Sequence, residues 1–240
     1  RMKIHAKLCI IKKRIGSKIS QYGFVSTGNL HEKTATVYGD HCLLTSQRNI
    51  MADINRIFDY LANWKNGLQP LRNCKTLLVC PNNMRRSLEE LIRFEIKQAK
   101  AGKASGIILK VNSLSDATLI DLLMQAAKSG VPVQMIVRGI FCAKPELVLD
   151  KKAICKAISI VDEYLEHARV LLFHNGGKEK MYISSADWMV RNLDHRVEAA
   201  APILDPSLKE ELKDILNIQL SDNVKARCLD GKLSNEYVSG

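Results

Sequence analysis

The pattern of apolar and polar positions along the chain predicts an α/β protein. Two strands are expected at 4–11 and 22–26, joined by a polar loop that contains Gly16, and the apolar residues between Ile50 and Leu61 recur at helical spacing. Strand and helix patterns then alternate, which is typical of a parallel or mixed sheet covered by helices. Further strands are expected at 76–80, 106–111, 131–137, 170–173, 181–184 and 196–201, and further helices at 83–101, 115–128 and 206–220.

The segment 66–70 interrupts this pattern. It contains Gly67 and Pro70, residue types that end regular structure, and a new alternation of strand and helix begins after it. We therefore expect a domain boundary here, with one domain at 1–70 and a second at 71–240. A chain of 240 residues that is 46% hydrophobic can fill the cores of both.

A pattern of chemically active residues occurs twice in the chain. His5-Ala6-Lys7 is followed by Ser26-Thr27-Gly28-Asn29, and His167-Ala168-Arg169 is followed by Ser184-Ser185-Ala186-Asp187. Asn29 precedes Asp40 by 11 residues and Asp187 precedes Glu198 by the same 11, while Lys33 and Arg191 lie four positions beyond Asn29 and Asp187. The spacing from His to Asn or Asp is 24 residues in the first copy and 20 in the second, a difference that loops of unequal length absorb. The repeat predicts two half-sites.

Each copy carries groups suited to phosphoryl transfer. Side chains at i and i+2 of a strand share a face, so His5 with Lys7, and His167 with Arg169, are each expected to face one ligand. An imidazole can attack phosphorus while its cationic neighbour neutralises the phosphoryl oxygens. The sequence therefore predicts a pair of sites that handle phosphate.

The remaining members of the two copies are not equivalent. Asn29 can donate a hydrogen bond to a phosphoryl oxygen, whereas an ionised Asp187 can only accept and is expected to orient Arg169, Arg191 or His167. Asp40 and Glu198 can each hold the proton on the second ring nitrogen of a histidine. The spacing leaves open which acid serves which histidine.

Five stretches of the chain match the pattern of one known family. They are Lys3-Ile4-His5-Ala6-Lys7, Thr27-Gly28-Asn29 with Glu32-Lys33-Thr34-Ala35, Ile136-Val137-Arg138-Gly139, Ser159-Ile160-Val161-Asp162 leading to Leu165-Glu166-His167, and Tyr182-Ile183-Ser184-Ser185-Ala186-Asp187-Trp188-Met189. Together they resemble the C-terminal catalytic region of bacterial polyphosphate kinases, which belong to the wider phospholipase D-like group. The resemblance implies two phospholipase D-like α/β domains with mixed sheets flanked by helices, the first of them truncated.

The function that this resemblance implies is reversible transfer of the γ-phosphoryl group of ATP to inorganic polyphosphate through a phosphohistidine. It puts the phosphohistidine at His5, nucleotide contacts at Tyr38, Arg138 and His167, and general-acid duty at His167. Arg138 directly follows the strand expected at 131–137, where α/β folds place ligand sites. ATP or ADP and polyphosphate are the implied substrates, and the intact enzyme is expected to be a homo-oligomer.

The resemblance also implies that the chain is a fragment. The catalytic region of the family extends upstream of the phosphorylated histidine, and His5 stands near the start of this sequence. Mg²⁺ is the implied cofactor, but the residues that bind it in the family fall in that upstream part. No metal ligand is therefore assigned to this chain.

Composition agrees with a polyanionic partner. The net charge is +11 and the pI is about 9.3. Only 5% of residues are aromatic, which leaves few stacking platforms and disfavours a nucleic-acid partner.

The seven cysteines form no Cys-x-x-Cys pair, so neither a disulfide framework nor a zinc site is expected. With neither a signal peptide nor a membrane-spanning segment in the sequence, a cytoplasmic location is expected, with peripheral membrane association left open.

Two other functions use the same residues. A phospholipase D-like phosphodiesterase or nuclease also has paired histidines, and it predicts hydrolysis that needs no nucleotide. Arg169 and Asp187 depart from the usual His-x-Lys and Asn of that wider group and fit the kinase pattern better. A polyanion-binding module without catalysis is a third interpretation, which leaves the two histidines unexplained.

Overall fold

The computed structural model describes residues 2–143, 155–230 and 232–239. They form the expected α/β fold, in which a mixed sheet is flanked by helices. The strands are β1 Lys3–Ile4, β2 Lys7–Ile15, β3 Lys18–Ser26, β4 Tyr38–Gly39, β5 Cys42–Thr45, β6 Leu78–Cys80, β7 Ile107–Val111, β8 Val133–Val137, β9 Cys155–Ile160, β10 Leu165–Glu166, β11 Arg169–Phe173, β12 Lys180–Ser184, β13 Arg196–Pro202 and β14 Ala226–Cys228. The helices are α1 Glu32–Ala35, α2 Arg48–Ala62, α3 Gln69–Arg72, α4 Met84–Lys100, α5 Ala117–Lys128, α6 Val190–His195 and α7 Pro206–Leu220, with 3-10 turns at Trp64–Asn66 and Asn175–Gly177.

The main sheet joins nine of the described strands and is mixed. Its order is β1-β13-β12-β11-β7-β8-β9-β14, and β6 also pairs with β13. Strands β7, β8 and β9 run parallel, whereas β11 and β12 pair antiparallel to their neighbours. Strand β1 of the N-terminal part is built into this sheet through β13.

Helices cover both faces of the main sheet. Successive strand residues point to opposite faces, so Leu171 packs with α4 and α5 on one side while Val170 and Leu172 pack with α2 and α7 on the other. All three side chains are buried. None of the helices in the described ranges is long and apolar enough to cross a bilayer.

The repeat in the sequence is also a repeat of elements. Strands β2, β3 and β5 form a separate antiparallel sheet, with Lys7 opposite Ser26 and Ser26 opposite Cys42. Strands β11, β12 and β13 pair in the same register, with Arg169 opposite Ser184 and Ser184 opposite Ala200. Helix α2 then follows β5 as α7 follows β13. Two copies of one unit therefore present their repeated residues at equivalent positions.

The sequence predictions differ from the structure at several places. The polar loop expected between the first two strands is much shorter, because β2 extends to Ile15 and β3 begins at Lys18. The strand expected at 4–11 is interrupted at His5 and Ala6, because both amides donate to the carbonyl oxygen of Val197 at 2.9 Å. The expected linker at 66–70 overlaps a 3-10 turn and the short helix α3. Strands β4, β5, β9, β10 and β14 were not predicted, since strands of two to six residues carry little periodicity.

Candidate functional site

Both repeated histidines lie in a break between two strands. His5 and Ala6 separate β1 from β2, and their amides bind the carbonyl oxygen of Val197. His167 and Ala168 separate β10 from β11, and their amides bind the carbonyl oxygen of Gly39 at 3.1 and 2.9 Å. The same two-amide contact thus fixes the backbone at each histidine.

Each histidine is paired with the acid of the other copy. Nδ1 of His5 lies 3.0 Å from Oε2 of Glu198, and Nδ1 of His167 lies 2.9 Å from both carboxylate oxygens of Asp40. The acids directly follow Val197 and Gly39, so the backbone contact and the side-chain contact come from adjacent residues. This exchange answers the question that the spacing left open, and it builds each half-site from both copies.

Neighbouring side chains hold the two acids in place. The hydroxyl of Thr27 donates to Asp40 at 2.6 Å, and the hydroxyl of Ser185 donates to Glu198. Glu198 is fully buried and also accepts from the Asn192 amide at 2.7 Å. Sequence reasoning missed these three residues as site residues. The hydroxyls were visible as equivalent members of the repeat, but Asn192 on α6 gave no signal.

Hydrogen bonds keep Asp40 ionised. Burial raises the pKa of this carboxyl, but the hydrogen bonds from His167 and Thr27, together with electrostatic attraction to neighbours that include Arg169, leave the pKa below its usual value. Asp40 is therefore a carboxylate at neutral pH, suited to accept the Nδ1 proton of His167.

Arg169 is occupied by contacts within the protein. Its Nε and Nη2 donate to the two oxygens of Asp187 at 3.2 and 3.1 Å, and Nη1 donates to the carbonyl oxygens of His167 and Thr27 at 2.9 and 3.3 Å. Nη1 also lies 3.1 Å from Nε2 of His167. Asp187 in turn accepts from the amides of Asn112 and Ser113. Asp187 thus contacts Arg169, one of the three residues that it is expected to orient.

The pKa of Lys7 is affected by charged groups of both half-sites. Burial lowers its pKa to about 8, against the upward effect of Glu198; Arg169 lowers this pKa further, whereas Asp40 and Asp187 raise it. Lys7 is therefore within electrostatic range of the paired acids of both half-sites. The ammonium of Lys7 forms no hydrogen bond or ion pair with the residues that the structure describes, so it is available to a phosphoryl group.

Tyr38 and Arg138 lie beside the second half-site. The ring centroids of Tyr38 and His167 are 5.0 Å apart. Arg138 follows β8, and its Nε donates to the carbonyl oxygen of Glu166 at 2.9 Å, while the Asn112 amide donates to the carbonyl oxygen of His167 at 3.3 Å. The resemblance-based nucleotide contacts therefore surround one histidine.

Two candidate residues are not drawn into this network. Asn29 is exposed, and its carboxamide has no hydrogen bond to the described part of the chain. Arg191, on the exposed side of α6, likewise forms no side-chain hydrogen bond or ion pair with the described part of the chain. Their proposed roles rest on the sequence pattern alone.

The carboxylates of the site do not form a place for Mg²⁺. Asp40, Asp187 and Glu198 already bind histidine, arginine, hydroxyl or amide groups, whereas Mg²⁺ needs oxygen ligands in near-octahedral geometry. In the described ranges, no three His, Cys, Asp or Glu side chains converge as a metal-binding group. The residues present here do not fit the implied cofactor.

The arrangement of these side chains defines a class of protein. Two imidazoles, each with Nδ1 on an acid, together with an available lysine, are groups suited to phosphoryl transfer.

Comparison with known proteins gives the family. Polyphosphate kinase C-terminal domain 1 matches residues 1–67, and Polyphosphate kinase C-terminal domain 2 matches residues 77–240. The chain therefore belongs to the polyphosphate kinase family.

Relatives agree over almost the whole chain. Polyphosphate kinase of Escherichia coli is 47% identical and that of Klebsiella pneumoniae 46% identical, each over 237 residues that make up 99% of this chain and 34% of the relative. The crystal structure of polyphosphate kinase from Porphyromonas gingivalis matches with a TM-score of 0.90 and 41% identity, over 100% of this chain and 36% of that one. The chain thus spans about a third of the length of the curated relatives it matches.

Proposed function

We propose that these 240 residues form the C-terminal catalytic part of an enzyme that reversibly transfers the γ-phosphoryl group of ATP to inorganic polyphosphate. The observation that carries the proposal is the exchange of acids between the two half-sites, in which Glu198 pairs with His5 and Asp40 pairs with His167. Membership of the polyphosphate kinase family supplies the substrates.

His5 is the proposed nucleophile. With Nδ1 on Glu198, the lone pair of Nε2 is free to attack the γ-phosphorus of ATP. The Nε2–P bond forms as the bond from Pγ to the bridging oxygen breaks, and ADP leaves with that electron pair. Glu198 balances the positive charge of the imidazole while Lys7 neutralises phosphoryl oxygens. A terminal oxygen of polyphosphate then attacks the same phosphorus, and Nε2 recovers its lone pair.

His167 is proposed to act at the opposite, leaving side. In-line displacement places the attacking and leaving atoms on opposite sides of phosphorus, so a group that assists the leaving oxygen must lie away from His5. Asp40 and Arg169 fix the ring of His167, and Tyr38 and Arg138 lie near enough to contact a nucleotide bound there. We expect His5 and His167 to face each other across a cleft that admits one phosphoryl group.

The test is to detect the phosphoenzyme. Full-length enzyme incubated with γ-labelled ATP should carry acid-labile phosphate on His5, and His5→Gln should lose both this label and polyphosphate synthesis. His31→Gln is the matched control, because His31 is exposed and its side chain makes no cap hydrogen bond. Labelling that persists at another histidine would contradict the assignment. Nucleotide-independent hydrolysis of phosphodiesters would instead support the phosphodiesterase alternative.

The remaining expectations follow from the same proposal. ATP or ADP and polyphosphate are the proposed partners, Mg²⁺ is held by residues outside this chain, and the full-length enzyme is a homo-oligomer in the cytoplasm. The net charge of +11 supports a polyanionic substrate.

A further inference from the structure

A buried lysine lies behind the second half-site. Lys110 on β7 is 3% exposed, and its Nζ forms an ion pair with a carboxylate oxygen of Glu166. The same ammonium donates to Oε1 of Gln219 at 3.0 Å, and Nε2 of Gln219 donates to Glu166 at 2.9 Å. The three side chains thus form a closed triangle that links β7, β10 and α7. A charged lysine is unfavourable in the protein interior unless it is paired and hydrogen-bonded. Glu166 and Gln219 meet both requirements for Lys110.

Glu166 connects this triangle to the proposed catalytic groups. It directly precedes His167, and its carbonyl oxygen accepts from Nε of Arg138 at 2.9 Å. Strand β10 contains only Leu165 and Glu166 and pairs with the equally short β4. The amides of Leu165, His167 and Ala168 donate to the carbonyl oxygens of Val37 and Gly39, so these backbone hydrogen bonds all go to the β4 segment. The side chain of Glu166 adds a link to β7 and α7 that these bonds do not provide.

We propose that Lys110 and Gln219 are positioning residues, which fix Glu166 and through it His167 and Arg138 before ATP binds. Neither residue is needed to touch a substrate. The inference rests on the proposed function, since it assigns His167 and Arg138 to the nucleotide side of that reaction. Displacing a positioned group by about 1 Å can cost about a hundredfold in rate, so loss of the link through Glu166 should be visible in kinetics.

The experiment compares three variants of the full-length enzyme. Lys110→Met removes the ion pair, Gln219→Leu removes two hydrogen bonds but leaves the ion pair, and Lys156→Met is the matched control. Lys156 on β9 donates to the carbonyl oxygen of Leu220 at 2.6 Å, so it binds the same end of α7 without contacting Glu166. KM for ATP, kcat and the rate of phosphoenzyme formation are measured, with the folded fraction taken from thermal unfolding.

We expect Gln219→Leu to raise KM for ATP and to slow phosphoenzyme formation by about tenfold, and Lys110→Met to do so more strongly. Lys156→Met should leave both quantities unchanged. A purely structural role would lower kcat in proportion to the folded fraction with KM unchanged, and this result in Gln219→Leu would overturn the inference. If Lys110→Met does not fold, Gln219→Leu decides alone.

The two proposals can fail separately. A wild-type enzyme that forms no phosphohistidine from ATP overturns the proposed function and this inference with it. An active wild type with normal kinetics in Gln219→Leu overturns only the positioning role.

Discussion

The exchanged acids explain why neither copy of the repeat is a site by itself. Glu198 reaches His5 and Asp40 reaches His167, so each imidazole has its Nδ1 occupied by the other copy. A histidine held in this way presents Nε2 in one orientation, as the second ring nitrogen of a catalytic histidine must. The cations differ between copies, since Arg169 is bound within the protein whereas Lys7 is available. This difference favours His5 as the group that receives phosphate.

Lys7 should give the enzyme a pH dependence on the alkaline side. Because burial lowers its pKa to about 8, the ammonium is charged below that pH and neutral above it. We expect KM for polyphosphate to rise as the pH increases through about 8, and Lys7→Arg, which keeps its charge, to remove this rise. KM measured between neutral and alkaline pH tests the prediction, and a flat wild-type profile would count against it.

The same shift has a defined effect on stability. The folded state releases the Lys7 proton at a lower pH than the unfolded chain, whose lysine has the ordinary pKa of 10.5. The contribution of Lys7 to the free energy of unfolding therefore increases as the pH rises from about 8 to 10.5. Lys7→Met should lack this increase in a denaturation series over that range.

Some elements could be predicted from the sequence because their signals are local. The helix expected at 206–220 and those expected at 83–101 and 115–128 agree closely with the structure, where Asp116 and Asp205 cap two of the helices through side-chain hydrogen bonds. The break at His5 could not be predicted, because its cause is the carbonyl oxygen of Val197, far away in sequence. The pairing of each histidine with its acid is missed for the same reason.

Buried polar residues of the site are also hidden from sequence patterns. Lys110 lies between apolar residues of β7, and Asn192 lies in a short helix. Lysine and asparagine are common on protein surfaces, so the residue type alone does not indicate that either side chain is buried. Lys110 is paired with Glu166 on β10, and Asn192 donates to Glu198 on β13, so both contacts depend on the tertiary structure. The repeat predicted that half-sites exist, and only the tertiary contacts identify what holds them.

The turn between β3 and α1 requires glycine at position 28. A Cβ added to Gly28 would lie 1.8 Å from Oδ2 of Asp40, which is closer than any real contact. Gly28→Ala should therefore displace Asp40 from His167 and lower the free energy of unfolding by about 1–3 kcal/mol. Gly106→Ala is the control, because its Cβ would meet its nearest atom at 3.9 Å.

Thermal unfolding and phosphoenzyme formation are the measurements for Gly28→Ala. Activity should fall further than the folded fraction explains, since the substitution acts on an acid of the site. Equal behaviour of Gly28→Ala and Gly106→Ala would show that the turn adjusts without disturbing Asp40.

The whole molecule depends on contacts between the two copies. Strands β1 and β13 pair, as do β4 and β10, and the exchanged acids add side-chain contacts to this backbone pairing. The expected division into domains at 1–70 and 71–240 remains a prediction. Whatever the boundary, the site forms only while both copies are held together.

Substitution of Asp53 tests whether the site depends on contacts between the two copies of the repeat. Asp53 lies on α2, is 1% exposed, and its Oδ2 accepts from the amides of Lys75, Thr76 and Leu77 at 3.0, 2.7 and 2.9 Å, just before β6 begins. One carboxylate thus joins the helix of the first copy to the chain that enters the main sheet. Asp53→Ala leaves three amides without their acceptor, and of these residues Leu77 is the buried one. An unsatisfied buried amide costs about 1–3 kcal/mol, so we expect the free energy of unfolding to fall by about that amount.

Asp59→Ala is the matched control for this substitution, because Asp59 is an exposed acid on the same helix. Chemical denaturation should place Asp53→Ala well below both wild type and Asp59→Ala. Phosphoenzyme formation in Asp53→Ala should disappear at denaturant concentrations that the other two proteins tolerate, because His5 and Glu198 separate when the copies come apart. Retained activity in a clearly destabilised Asp53→Ala would mean that β1 and β13 alone hold the exchanged pairs together.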